Sequence, residues 1–254
     1  MLENAGCLKR FSQGVLDRCD PGGFRQKALR LRQKAKGRGL VERVRCPSGA
    51  HYFIKVMPGH TLRTRVRNRL RPARHVERVS RILSEASIPH SEPVAWGRLS
   101  STDSQPSASF VATREVQGDR LDLWLADPKR SHEEIARVAG AMGRLFGQLY
   151  KHRVHHQDPA SHNFILQWSD SDTPEAALID LEGLYPVPII PRSALLNRLR
   201  RHIEHSMKKL PAHLLGEDNP AMRQAFLTAF QQAAELKPEQ LEPLAQLLEE
   251  FRPA

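Results

Sequence analysis

His156-Gln157-Asp158-Pro159-Ala160-Ser161-His162-Asn163, followed by Leu178-Ile179-Asp180-Leu181-Glu182-Gly183, is the stretch whose reading decides the fold. It sets a carboxylate, an amide and a second carboxylate in fixed order, a set suited to one proton acceptor and two oxygen ligands of a hard cation. An H-x-D-x-x-x-x-N segment arises readily by chance, so its weight depends on what surrounds it.

Immediately upstream, Ser131 and Glu134 have capping-box spacing, and Ile135, Val138, Met142, Leu145, Phe146 and Leu149 continue as one helical face. Downstream, residues 163–166 and 177–179 read as two short strands around a polar turn at 169–174. Farther upstream, Gly37 and Gly39 lead a hairpin whose strands are 40–45 and 52–57, with Pro47-Ser48-Gly49 as its turn. Val76, Val79, Ile82, Leu83 and Ala86 then recur at helical spacing until Pro89. Strands are expected at 93–99 and 110–116 around a Ser- and Pro-containing loop, Gln117-Gly118-Asp119 is a break, and 121–125 begins a short helix. Beyond Pro191 the pattern is helical, and no internal repeat is present. The order is strand-rich first and helical second.

Composition limits the partners. The chain has 254 residues, a formal net charge of +11 and a pI near 10.1. Arg63, Arg65, Arg67, Arg69, Arg71, Arg74, Arg78 and Arg81 crowd one segment, and Arg192, Arg198, Arg200, Arg201, Lys208 and Lys209 another, whereas the chain turns acidic from Glu235. Basic runs of this density favour a polyanion: nucleic acid, anionic lipid headgroups or phosphorylated glycolipid. Aromatic residues are 6% of the chain and do not interleave with the arginines, which weakens a single-strand stacking surface. Cys7, Cys19 and Cys46 form no C-x-x-C pair and leave an odd thiol, the pattern of a reducing compartment. Lys9 and Arg10 follow rather than precede the first apolar residues, which is not a signal-peptide order, and no apolar run approaches the ~20 residues of a membrane span. A cytoplasmic protein is expected.

Lys55 lies within the apolar run 52–57, where a buried ammonium needs an anionic partner: Glu77 or Glu85 on the next helix, or a nucleotide phosphate. His152, His155, His156 and His162 raise a zinc site, but no cysteine or third ligand follows at structural spacing, and a loop histidine bonded to backbone fits better.

Together these residues resemble the protein-kinase-like superfamily, and most closely the bacterial lipopolysaccharide core kinases, over approximately residues 36–210. Supporting features are Tyr52-Phe53-Ile54-Lys55, Ile88-Pro89 with Pro93, the stretch from Phe110 through Glu115 to Gly118 as hinge, the two opening motifs, and an Arg-rich helix over 197–210. The resemblance implies an α+β, bilobal fold with a basic helical segment at 1–35, a nucleotide-binding N-lobe at 36–117 and a helical C-lobe at 118–254. It also implies ATP and Mg2+ as cofactors, with Lys55 on the α and β phosphates and Glu77 paired to it. Gly37 and Gly39 would lie over the nucleotide, and the backbone of Glu115 and Val116 would meet adenine. Asp158 would be the catalytic aspartate, and Asn163 and Asp180 the metal ligands.

The implied reaction is phosphorylation of a heptose or Kdo sugar of lipopolysaccharide core, the arginine clusters meeting this anionic glycolipid at the inner face of the cytoplasmic membrane. Gly37-Arg38-Gly39 is only a remnant of a glycine loop, Asp180-Leu181-Glu182 replaces Asp-Phe-Gly, and no Ala-Pro-Glu follows. These departures speak against a protein kinase switched by activation-loop phosphorylation. The alternatives are a kinase for another small-molecule or lipid-linked hydroxyl, and a pseudokinase that binds polyanions.

Overall fold

The structure, a computed structural model, describes residues 12–15, 18–34, 39–58, 74–100, 108–169, 173–207 and 220–250. Gly37, the arginines from Arg63 to Arg71, Lys208 and Lys209 lie outside them. The chain divides into two compact units, residues 1–80 with 91–115, and residues 81–90 with 116–254.

The first unit is built on a five-stranded sheet of order β1-β2-β3-β5-β4, comprising β1 (Ser12–Val15), β2 (Leu40–Arg45), β3 (His51–Pro58), β4 (Pro93–Leu99) and β5 (Ala108–Arg114). All pairings are antiparallel except β1 on β2. Strand alternation sends Val44, Ile54, Val56, Phe110 and Ala112 to one face, where they bury against Phe24, Ala28 and Leu31 of helix α1 (Pro21–Lys34). The sequence sets residues 1–35 apart as a basic segment. In the structure α1 instead completes the core of the sheet, because its i, i+4, i+7 apolar positions form a stripe between exposed cations.

Glu42 shares this buried face and is 1% exposed; Lys27 of α1 reaches it at 2.6 Å, which compensates an otherwise costly buried carboxylate. The same docking brings Cys19, just before α1, to Cys46 at the end of β2, with the pair disulfide-bonded and Cα atoms 5.8 Å apart. Sequence spacing, which suggested separate thiols, could not foresee this tertiary approach.

Helix α2 (Arg74–Glu85) buries Val76, Val79 and Leu83, as its periodicity predicts. In the second unit, the two-residue strand β6 (Asp119–Arg120) and the short helix α3 (Leu121–Leu125) precede α4 (His132–Lys151). The capping box of α4 is formed: the Glu134 amide donates to Ser131 Oγ at 3.1 Å, and the Ser131 amide donates to Glu134 Oε2 at 2.8 Å. These bonds hold the Glu134 carboxyl below its usual range. The stabilisation they give is therefore present above the ordinary glutamate range and fades as pH falls through the lowered value.

Beyond Pro191 the chain forms α5 (Arg192–Met207), α6 (Pro220–Ala234) and α7 (Pro238–Glu250). Helix α4 packs on α6 with unusual closeness, and glycine makes this possible. A Cβ on Gly143 would lie 2.3 Å from the Phe226 carbonyl oxygen, and one on Gly147 would lie 2.6 Å from that of Phe230. Both obstacles are backbone, so neither can rotate aside.

Gly143→Ala is expected to destabilise the protein by about 3 kcal/mol in urea unfolding, although alanine is the better helix former. An unchanged or higher unfolding midpoint would show that α6 does not pack at this distance.

Candidate active site

Four short strands of the second unit hold the opening motifs side by side. Strand β7 (Val154–His156) pairs with β10 (Leu184–Pro186), setting His156 opposite Leu184, and the Gln157 amide donates to the Gly183 carbonyl at 2.8 Å. Strand β8 (Phe164–Trp168) pairs with β9 (Pro174–Leu178), setting Phe164 opposite Leu178, and the Ile179 amide donates to the Asn163 carbonyl at 3.0 Å. Both flanks of the loop are thus pinned to both flanks of the Asp180 segment. Pro89 explains its own place in the sequence: its carbonyl accepts from the Leu178 amide at 3.0 Å, so the Ile88-Pro89-His90 segment bridges onto β9.

Within this frame the side chains take different roles. The Asp158 amide donates to His156 Nδ1 at 3.2 Å, and its carbonyl accepts from Asn163 Nδ2 at 2.8 Å. His156 therefore bonds to backbone, as expected of a loop histidine. Asn163 is 5% exposed and ends a 3-10 turn over Ser161–Asn163, whereas Asp158 is exposed. A buried amide thus fixes the main chain beneath an open carboxylate. Asp180 is half-buried and caps the 3-10 turn Leu181–Gly183, its Oδ1 accepting from the Glu182 amide at 3.2 Å.

These residues fit Mg2+ by their chemistry. With its nitrogen committed to Asp158, the Asn163 side chain offers its oxygen to a ligand, and its main-chain carbonyl is bonded to Ile179, the residue before Asp180. Among the described residues no group of three His, Cys, Asp or Glu side chains clusters around a common point. One amide and one carboxylate oxygen, with phosphates and water completing an octahedron, are what Mg2+ accepts and what a structural zinc site does not.

In the first unit, Lys55 is half-buried on β3, between Val41 of β2 and Val111 of β5, on the sheet face opposite α1. On the adjacent strand β2, two residues along on that face, Arg43 grips Glu115 through both carboxylate oxygens at 2.8 Å, and His51 Nδ1 lies 3.6 Å from Glu115 Oε2. This bidentate pair holds the Arg43 guanidinium above its ordinary pKa. The Glu115 amide is committed to the His51 carbonyl at 3.1 Å, so a contact of its backbone with a nucleotide base would use the carbonyl. Val116 is half-buried, and Gly39 is exposed at the entry to β2.

Glu77 is exposed on the first turn of α2 and has no ion-pair partner among the described residues, one helical step off the stripe of Val76, Val79 and Leu83. Glu85 is also exposed and lies 3.9 Å from Arg81. The structure therefore joins the Asp158 loop through Asn163 to the segment that leads into Asp180, and does not bring Glu77 onto Lys55. Arg43 was missed by sequence reading because its partner lies 72 residues away.

A strand-rich unit with a lysine on its third strand and a helical unit presenting Asp158, Asn163 and Asp180 from paired loops define a protein-kinase-like phosphotransferase fold. The model of the Lipopolysaccharide kinase (Kdo/WaaP) family matches residues 24–227, and the chain belongs to that family. It is accordingly a kinase of lipopolysaccharide biosynthesis, a phosphotransferase. Among solved structures, one titled "WaaP in complex with acyl carrier protein" is similar with a TM-score of 0.55 and 19% identity, over 84% of this chain and 85% of that one. At this identity the likeness is one of fold. No curated protein sequence matches the chain.

Arg43→Met and Glu115→Gln are each expected to lower stability, and a double-mutant cycle on urea unfolding should give a coupling of about 1 kcal/mol. A coupling near zero would mean that the fork does not form in solution.

Proposed function

We propose that the chain transfers the γ-phosphoryl group of ATP to a heptose or Kdo hydroxyl of the lipopolysaccharide inner core at the cytoplasmic face of the inner membrane. The observation that supports the reading is the bond from the buried Asn163 amide to the Asp158 carbonyl, which braces the loop that carries an open carboxylate.

The Asp158 carboxylate would accept a hydrogen bond from the acceptor hydroxyl and aim its oxygen at the γ-phosphorus. As the new oxygen–phosphorus bond forms and the bridge to the β-phosphate breaks, the hydroxyl proton passes to that carboxylate. Asn163 and Asp180 would hold Mg2+, which when bound neutralises charge on the phosphates. Lys55 would contact the α and β phosphates, and the Glu115 carbonyl with Val116 would meet adenine. Glu77 would join Lys55 only after a movement of α2 or a rotamer change. Arginines of α5, among them Arg198 and Arg201, would meet phosphates on the glycolipid, where planar guanidinium forks suit bidentate contact.

Asp158→Ala and Asp180→Ala are expected to lower phosphate transfer to dephosphorylated core glycolipid by about 10³-fold, with thermal unfolding unchanged for Asp158→Ala and only modestly lowered for Asp180→Ala, which loses a turn cap. ATP with Mg2+ should raise the melting temperature of the parent protein, and of Asp180→Ala much less. Mass spectrometry of core glycolipid from cells with and without the protein would identify the sugar. Transfer unaffected by both substitutions would overturn the proposal, and nucleotide binding without transfer to any core acceptor would favour a kinase for another hydroxyl. No nucleotide binding would favour a polyanion-binding pseudokinase.

The similarity to a WaaP solved with acyl carrier protein supports a second partner reading, in which this basic chain binds such a carrier; co-elution of the two purified proteins tests it.

A further inference from the structure

Between β10 and α5 the chain runs Val187-Pro188-Ile189-Ile190-Pro191, five residues without a polar side chain, and Ile189 at its tip is 93% exposed. A single exposed isoleucine on a loose loop would need no explanation. This loop is held in place.

The Val187 amide donates to the Arg153 carbonyl at 2.8 Å, and the Ile190 amide closes a turn on the Val187 carbonyl at 3.2 Å. The Arg153 guanidinium donates from beneath to the carbonyls of Pro188 at 2.8 Å and Ile190 at 3.1 Å. Arg153 does so from a left-handed backbone conformation, φ 55°, which is uncommon for a long side chain. Three backbone carbonyls around the tip are therefore already satisfied, and two prolines restrict the rest. A tip built in this way carries fewer unpaired backbone carbonyls into an apolar medium than an unbraced loop would.

Charge identifies the medium. From Arg192 to Lys209, immediately after the tip, the sequence carries Arg192, Arg198, Arg200, Arg201, Lys208 and Lys209 against one acid, Glu204. Buried Leu195 and Leu199 turn the stripe of Ser193, Asn197 and Arg201 outward. An apolar tip followed by a basic stretch of sequence complements a bilayer with anionic headgroups, the isoleucine entering the acyl boundary and exposed Arg201 remaining among phosphates.

We infer that residues 187–191, with α5 behind them, are a docking element for an anionic phospholipid surface. Its purpose rests on the lipid-linked acceptor proposed above, but the binding itself does not require phosphotransfer.

The test is co-sedimentation of the full chain, without nucleotide or acceptor, with vesicles of phosphatidylethanolamine and phosphatidylglycerol, beside vesicles of phosphatidylcholine alone. The parent protein should bind the anionic vesicles and be released by salt. Ile189→Asp should weaken that binding by roughly tenfold and Ile189→Trp should strengthen it, with melting temperatures unchanged for both. Failure of the parent to bind anionic vesicles, or equal binding by both variants, would overturn the inference. So would equal binding to phosphatidylcholine. Transfer to detergent-dispersed glycolipid should survive Ile189→Asp, so loss of docking and loss of the kinase reading register in different assays.

Discussion

The bond from the Asn163 side chain to the Asp158 carbonyl is the constraint on which the loop of the second unit depends. One amide joins three demands. Its nitrogen satisfies the Asp158 carbonyl, its main-chain carbonyl receives the Ile179 amide, and its side-chain oxygen is left for a further partner. An aspartate at position 163 could offer oxygen but not the donor, and a leucine could offer neither. The interval of five residues from Asp158 to Asn163 is the length at which a 3-10 turn brings that side chain back over its own loop.

The remaining elements of the unit secure this contact at a distance. Helix α4 delivers the chain to β7, and its glycines let α6 approach until backbone meets backbone, which immobilises the helix from behind. Pro89 reaches β9 through its carbonyl, so the turn after α2 belongs to the same sheet edge as the Asp180 strand. In the other unit, burial of Lys27 with Glu42 ties α1 to the sheet, while Arg43 anchors Glu115 at the end of β5. The exposed carboxylate of Asp158 thus sits on main chain whose own amide and carbonyl are already paired.

Local patterns were legible wherever the chain interacts with near neighbours. The capping box at Ser131, the hairpin after Gly39, the helix stopped before Pro89 and the short helix at 121–125 all form as their residues indicate. Strand limits moved by a few residues: Ala108–Arg114 rather than 110–116, and Pro174–Leu178 rather than 177–179, since pairing with a neighbour and not composition ends a strand. β1 was not visible, because Ser12–Val15 has no alternation of its own and exists by pairing with β2. The pairing of Cys19 with Cys46 and the clamp of Arg43 on Glu115 were hidden for the same reason.

The sequence by itself determined the class of the protein, because Asp158, Asn163 and Asp180 occur in order between a helical pattern and two short strand patterns, downstream of Lys55 in an apolar run. It also determined the basic character that favours phosphate-bearing partners. Only the tertiary structure decided which side chains meet. It committed the Glu115 amide to His51, turned Glu77 to solvent, and placed an isoleucine at the tip of a braced turn. Periodicity and propensity describe how a residue relates to its own helix or strand. The partner of a carboxylate and the exposure of an apolar tip depend on the packing of segments far apart in the chain, which no local pattern encodes.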